Sequence, residues 1–371
     1  MTNRRARAAG HGASDSPLGA PYEVSEGAAT PRIVGGTFGL PSRPEARATT
    51  PPLAGGRHVL FVNARSALYT LLDWIGCKRV WVPSYLCEAL LTPLARRAVD
   101  VQYYPVDRKL EIADDAWLDQ VHDSDAVVLI DYFGFPVEAS WIEAVRGRGA
   151  HVIEDAAMAL LTAGVGRDAD FTIYSPRKFV GVPDGGILVI GDRVQLLAEP
   201  VLTEPPAAWW SRAVDATDRR TRFDEGDDDR GWLELYQQVE AEAPTGLFAM
   251  SRLSRALLYE GFDYEAIAER RITNFRLLVT LLADVAVFGS LPDGVVPLGF
   301  PVRVADRDSI QRELFRNEVF PPVHWSLPAE VHSTFAESHR LSREILTLPC
   351  DQRYGRDDME RVARLVREAC G

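Results

Sequence analysis

Residues 151–190 read HVIEDAAMALLTAGVGRDADFTIYSPRKFVGVPDGGILVI. Three short apolar runs, His151 to Ile153, Phe171 to Tyr174 and Gly186 to Ile190, are separated by small, polar and glycine-rich stretches. Each run is too short for a helix and lacks the alternation of a strand with one wet face. All three therefore read as strands buried on both sides, which is the pattern of a mostly parallel sheet. Upstream the same rhythm alternates with helical spacing. Val59 to Val62 precedes Ser66 to Ile75, with Ser66 as the helix cap. Arg79 to Val82 precedes Glu88 to Arg96, Val101 to Tyr104 precedes Ala116 to Val121, and Ala126 to Ile130 precedes Ser140 to Arg148. Strand and helix in turn, over about seven strands, predict an α/β sheet covered by helices.

The flanks are read differently. Residues 1–56 are rich in Gly, Pro, Ala, Ser, Thr and Arg without periodicity and read as a flexible tail. A large domain is expected over 57–250, interrupted by an acidic, Arg-containing surface excursion at about 200–246. A helical connector follows over 251–299, and then a smaller α+β C-terminal domain over 300–371. In that domain Pro301 to Val304 reads as a strand, with helices at Asp308 to Asn317 and Asp357 to Ala369.

A chain of 371 residues, 46% apolar, can bury a large core and a second lobe. Its net charge of −12 argues against a nucleic-acid partner. Cys77, Cys87, Cys350 and Cys370 have no metal-ligand or disulfide-framework spacing, so no metal is predicted and a reducing cytoplasm is expected. No apolar run approaches the roughly 20 residues of a membrane span, and the start lacks the pattern of an export signal. The expectation is a soluble protein with no membrane partner.

Ligands of open α/β sheets bind beyond the carboxyl ends of the strands. Three such ends carry chemistry. His151 to Ile153 ends in Glu154-Asp155-Ala156-Ala157, where small residues admit something flat beside a carboxylate. Phe171 to Tyr174 ends in Ser175-Pro176-Arg177-Lys178, a hydroxyl and an amine on the same edge. Val59 to Val62 ends in Asn63-Ala64-Arg65-Ser66-Ala67, where a helix starts and free N–H groups can hold phosphate. Singly, each has an ordinary structural explanation. Together they predict a phosphate cradle, a carboxylate and an amine.

The segments Asn63-Ala64-Arg65-Ser66-Ala67-Leu68, Val82-Pro83-Ser84-Tyr85, Glu154-Asp155-Ala156-Ala157 and Lys178 with Asp184-Gly185-Gly186 occur in an order that resembles the DegT/DnrJ/EryC1/StrS family of pyridoxal-phosphate (PLP)-dependent sugar aminotransferases. Pro321-Pro322-Val323-His324-Trp325 and Leu346-Thr347-Leu348-Pro349-Cys350 are similar to its late segments. The resemblance implies the aspartate-aminotransferase-like type I fold and pyridoxal 5'-phosphate as cofactor. It implies that Lys178 carries the cofactor as a Schiff base and serves as general base and acid, helped by a lowered pKa, while Asp155 keeps the pyridine nitrogen protonated. Arg65, Ser66, Ala67 and Ser175 would hold the phosphate, Tyr85 would cover the ring, and His324 would contact substrate. Departures from the family pattern are Cys87, where an aromatic is common, Met158, where Gln or His is usual, and a serine closer to the lysine than is common. No clear counterpart of the partner-subunit Asn and Arg is found near Gly246 to Met250.

The function so implied moves an amino group from an amino-acid donor to a keto-sugar or related carbonyl metabolite, in a homodimer. The alternative is another PLP reaction, elimination, replacement or decarboxylation. A scaffold that has lost turnover is opposed by intact Lys178 and Asp155. A nucleotide-binding Rossmann enzyme finds no support, because no GxGxxG is present.

Overall fold

A computed structural model describes residues 32–41, 47–195 and 200–371, which belong to one compact unit from Ile33 onward. The first part of the chain runs β1 (Val34–Gly35), β2 (Arg57–Phe61), α1 (Ala64–Ile75), β3 (Arg79–Pro83), α2 (Glu88–Arg96) and β4 (Asp100–Tyr104). It continues through β5 (Ala126–Ile130), α3 (Ala139–Gly147), β6 (His151–Asp155), β7 (Phe171–Tyr174) and β8 (Gly186–Ile190). Seven of these strands form one sheet in the order β2-β8-β7-β6-β5-β3-β4. β7, β6, β5, β3 and β4 run parallel to their neighbours, and β8 pairs antiparallel with both β7 and β2. Every residue of β5, β7 and β8 is buried, as strands covered on both faces must be. The mixed α/β sheet read from the sequence is the sheet found.

The register sets the functional edge. Ile130 lies opposite Asp155 and Asp155 opposite Ile173, so the ends of β5, β6 and β7 share one rim. Phe61 pairs with Gly186, which brings the end of β2 to that same rim. A Cβ on Gly186 would stand 2.2 Å from the carbonyl carbon of Asn63. No side chain fits there, so the glycine lets the start of α1 sit against β8. α1 itself is capped by Asn63, whose Oδ1 accepts from the Ser66 N–H at 2.8 Å; the cap is three residues earlier than the sequence suggests.

α4 (Ala207–Asp224) and α5 (Gly231–Ala241) follow, packed on each other through Trp209, Ala213, Val239 and Ala243. This corrects the reading of 200–246 as a surface excursion. The acidic, Arg-containing run is helical: Asp215–Arg219, Asp218–Arg222 and Arg220–Asp224 are ion pairs one turn apart. α6 (Arg252–Glu260) and α7 (Tyr264–Leu281) form the connector, and Asp263 caps the second. The C-terminal part contains β9 (Phe300–Arg303), α8 (Arg307–Arg316), β10 (Val319–Phe320), α9 (Ala336–Glu344), β11 (Ile345–Leu348) and α10 (Arg356–Cys370). Phe275, Leu278, Phe300, Leu346, Leu348 and Met359 are the centre of its own apolar cluster.

Val34 is completely buried in that cluster, and β1 pairs in parallel with β10. The flexible-tail reading is therefore corrected for residues 32–41 and 47–56; residues 1–31 lie outside the described residues. Gly35 belongs to this packing, since a Cβ there would meet the Phe320 carbonyl oxygen at 2.5 Å. Glycine here serves close approach, a use that composition does not distinguish from flexibility. No helix among the described residues is long and apolar enough to cross a membrane.

Candidate active site

Asp155 ends β6 and Lys178 closes the 3-10 turn Pro176–Lys178 after β7. Both side chains sit in a recess at the sheet rim and keep partial exposure. Burial pushes the Asp155 carboxyl above its ordinary range, and the nearby Lys178 charge pulls it back. One carboxyl oxygen, Oδ1, accepts from the Ala157 N–H at 3.0 Å. Oδ2 of Asp155, Nζ of Lys178 and the hydroxyl of Ser175 make no hydrogen bond to any described residue. A recessed carboxylate oxygen and an amine that make no hydrogen bond to the described residues are groups prepared for a ligand.

Cys87, the N-terminal residue flanking α2, faces the same recess. Burial raises its thiol pKa, while Lys178 is the foremost opposing charge. His324 enters from the C-terminal part. Its Nδ1 lies 2.9 Å from the Thr347 hydroxyl, and its ring meets Phe133 and Trp325 edge-on at 5.7 Å. Burial first, and the Lys178 charge second, depress its pKa to about 3. His324 is thus a neutral imidazole at physiological pH, and its Nε2 has no bond to a described residue.

The structure assigns Tyr85 a different place from the ring cover expected. It is fully buried, packed on Tyr132 and Trp325 with ring centres 6.0 and 5.6 Å away. Its hydroxyl donates to the His324 carbonyl and accepts from the Trp325 N–H at 3.1 Å. With no face left for a ligand, it fixes the loop that carries His324. Met158 is buried too, its sulfur accepting from the Phe133 N–H at 3.4 Å. Ala67 lies inside α1 with its N–H bonded to the Asn63 carbonyl, and the Ser66 N–H is taken by the Asn63 side chain. The N–H of Ala64 is turned to Gly185 by the parallel bridge between Asn63 and Gly185, which leaves the N–H of Arg65, with no bond to a described residue, as the one α1 offers to an anion.

Sequence reasoning missed two residues. Arg177, next to Lys178, and Arg65 both reach Glu240 on α5. Arg177 Nη2 is paired with Oε1, and Arg65 Nη2 lies 3.3 Å from Oε2. Burial opposes the Arg177 charge, but Glu240 and Tyr236 together outweigh it and the pKa rises. For Arg65, held by the longer contact, burial wins and the pKa falls. Burial would raise Glu240, yet Arg177 and Arg65 together hold it below the ordinary carboxylate range. The position of Arg177 beside Lys178 was the one available sequence signal. Glu240 is brought in by the α4–α5 pair, and nothing local marks it.

Asp184 of the Asp-Gly-Gly motif lies behind the site. It accepts from the Ser251 N–H at 2.7 Å, the Ser251 hydroxyl at 2.5 Å and the Ser254 hydroxyl, which ties the start of α6 to β8. These residues suit pyridoxal phosphate. Asp155 Oδ2 is placed for a ring N–H, Lys178 for a carbonyl carbon, and two guanidiniums with the start of α1 for a phosphate.

No protein-family model matches the chain, and no curated protein matches its sequence. Solved structures do match. Helicobacter pylori PseC, an aminotransferase involved in the biosynthesis of pseudoaminic acid, superposes with a TM-score of 0.62 at 14% identity, over 85% of this chain and 86% of its own. A DegT DnrJ EryC1 StrS aminotransferase from Brucella abortus gives 0.59 at 18% identity, over 85% and 86%. S. venezuelae DesV, solved with a ketimine intermediate, gives 0.59 at 17% identity, over 84% of each chain. Over most of its length the chain has the fold these enzymes share, the type I fold of PLP-dependent aminotransferases.

Proposed function

We propose that the protein is a PLP-dependent aminotransferase of the DegT/DnrJ/EryC1/StrS type, moving an amino group from an amino-acid donor to a keto-sugar or a related carbonyl metabolite. The observation that carries this reading is the pair Asp155 and Lys178: a carboxylate with one oxygen left over and an amine, on one recessed rim, in the fold of sugar aminotransferases. Bound there, pyridoxal phosphate supplies an acceptor for the electron pair released when a substrate Cα–H bond breaks.

The chain's own groups divide the remaining work. Asp155 accepts a hydrogen bond from the ring nitrogen and favours its protonated form. Lys178 would hold the cofactor through its amine, and that amine is the group of this chain placed to take and return a proton at the substrate carbon. His324, neutral and with Nε2 available, offers a substrate hydroxyl either a donor or an acceptor, because the Thr347 hydroxyl at Nδ1 can serve either tautomer. The Tyr85 contacts keep that imidazole in place. The small molecules implied are the amino donor and the carbonyl acceptor. A homodimer is part of the same proposal, supported by exposed apolar side chains at Val201, Leu247 and Leu253 that a second copy could cover.

The test is borohydride reduction of the protein with added pyridoxal phosphate, followed by peptide mass spectrometry. The adduct is expected on Lys178 and absent in Lys178→Ala. With a productive amino donor, the Lys178→Ala variant should turn over at least about 10²-fold more slowly, the scale of a lost acid–base group. An adduct spread over surface lysines, equal in both proteins, would reject the assignment.

A further inference from the structure

We propose that Glu240 is a displaceable counter-ion: Arg65 and Arg177 form the anion site for the cofactor phosphate, and Glu240 occupies that site until phosphate replaces it. The inference rests on the reading of the Lys178 recess as the cofactor site, and adds to it two residues that the motifs do not mark.

The geometry is specific. Arg177 is the residue before Lys178 in the same 3-10 turn, and its guanidinium is held by Glu240. Arg65 belongs to the first turn of α1, and its own N–H makes no bond to a described residue. Between the two guanidiniums stands one carboxylate, bonded to both through different oxygens. Lys178 itself is near enough to lower the Glu240 pKa. Two cations against one anion leave the cluster with a unit of positive charge in a place only partly open to water. A phosphate dianion between the same guanidiniums would bring it to neutrality, and would do so with charge-assisted, bidentate contacts.

Glu240 also has somewhere to go. Its side chain is 34% exposed, against 20% for Arg65 and 13% for Arg177, so a change of rotamer takes it into solvent while the arginines stay. The segment just beyond it is firmly held. The Asn63 side-chain amide donates to the Pro244 carbonyl at 2.8 Å, the Ser66 hydroxyl donates to the same carbonyl at 3.2 Å, and the Gly246 N–H donates to the Ser66 hydroxyl at 3.2 Å. Exchange of carboxylate for phosphate therefore needs no movement of the backbone. In the empty protein, Glu240 keeps two half-buried arginines from facing each other without a carboxylate between them. In the loaded protein its charge opposes the phosphate, so it sets how tightly the cofactor is kept.

Equilibrium dialysis of the full-length chain against labelled inorganic phosphate tests this, with wild type, Glu240→Gln, Glu240→Asp and the double variant Glu240→Gln/Arg177→Met. Glu240→Gln is expected to bind phosphate about tenfold tighter, as follows from removing a like charge a few ångströms away. Glu240→Asp, too short to bridge both guanidiniums, should fall between, and the double variant should lose the gain. If neither Glu240 variant binds more tightly than wild type, or if the gain survives loss of Arg177, the proposal is wrong. Should Glu240→Gln lack a cooperative melt, Glu240→Asp alone decides. No pyridoxal is present in this assay. Phosphate binding as expected without an adduct on Lys178 would therefore reject the cofactor reading and leave the anion site, and the converse would reject only the role of Glu240.

Discussion

Asp131 and Glu154 are the most unusual carboxyls outside the recess. Both are buried, Asp131 directly after β5 and Glu154 in β6 beside Asp155 in the chain. Asp131 Oδ1 accepts from the Val137 N–H and Glu154 Oε2 from the Gly166 N–H, each at 2.9 Å, while Asp131 Oδ2 has no partner at all. Burial raises both pKa values, Glu154 to about 7 and Asp131 well above its ordinary range, with the charge of Glu154 adding to the rise at Asp131. The sign follows directly. A carboxyl whose folded pKa is raised favours folding below its unfolded pKa, and this contribution is lost as pH climbs through the folded value. The window for Glu154 is therefore between its ordinary value and about 7. Asp131→Asn keeps an acceptor for Val137 and supplies an N–H toward Glu154 that no pH removes. Urea melts at pH 5 and pH 8 should show wild type losing on the order of 1–3 kcal/mol more than the variant across that interval. Parallel pH profiles would show that the raised pKa values of this pair do not set the pH dependence of stability.

At the scale of elements, the Asp-Gly-Gly turn does structural work that its nearness to Lys178 conceals. Gly186 admits the start of α1, and Asp184 receives three hydrogen bonds from the start of α6. Asp184→Ala would leave the Ser251 and Ser254 hydroxyls and the Ser251 N–H buried without their acceptor. The cost should be about 2–4 kcal/mol, since several satisfied groups are lost together. Thermal denaturation is the measurement, and hydrogen exchange should find the loss concentrated in α6. An unchanged melting temperature would contradict this account. The α4–α5 pair shows the opposite case. Its Asp and Arg residues at four-residue spacing were visible in the sequence, and they were read as charge before they were read as a helix. That the last turn of α5 would deliver Glu240 to Arg65 and Arg177 depends on how the two helices pack.

For the molecule as a whole, Val201, Leu247 and Leu253 expose apolar surface within or beside the segment that pairs with the edge of β2. Ala249 is bridged to Phe61 there, so the segment protects an edge strand from within the chain. If a second copy covers these side chains, light scattering should find a dimer for the wild type and a monomer for the variant Val201→Asp/Leu247→Asp. A dimer that survives both substitutions places the interface elsewhere.

What the sequence determined by itself was everything that depends on neighbours along the chain. Buried strands announce themselves as apolar runs, so the seven-stranded sheet and its carboxyl rim were legible, and with them Asp155 and Lys178. Asn63 with Ser66 three residues on was also a readable cap, though the capping role was assigned to the wrong partner. The tertiary structure decided what depends on residues far apart. It ordered Val34 by pairing it with Val319, it buried Tyr85 under the His324 loop, and it set Glu240 between two arginines. The reason is physical. Periodicity reports whether a side chain meets protein or water, whereas the identity of the group it meets is fixed only when distant segments pack.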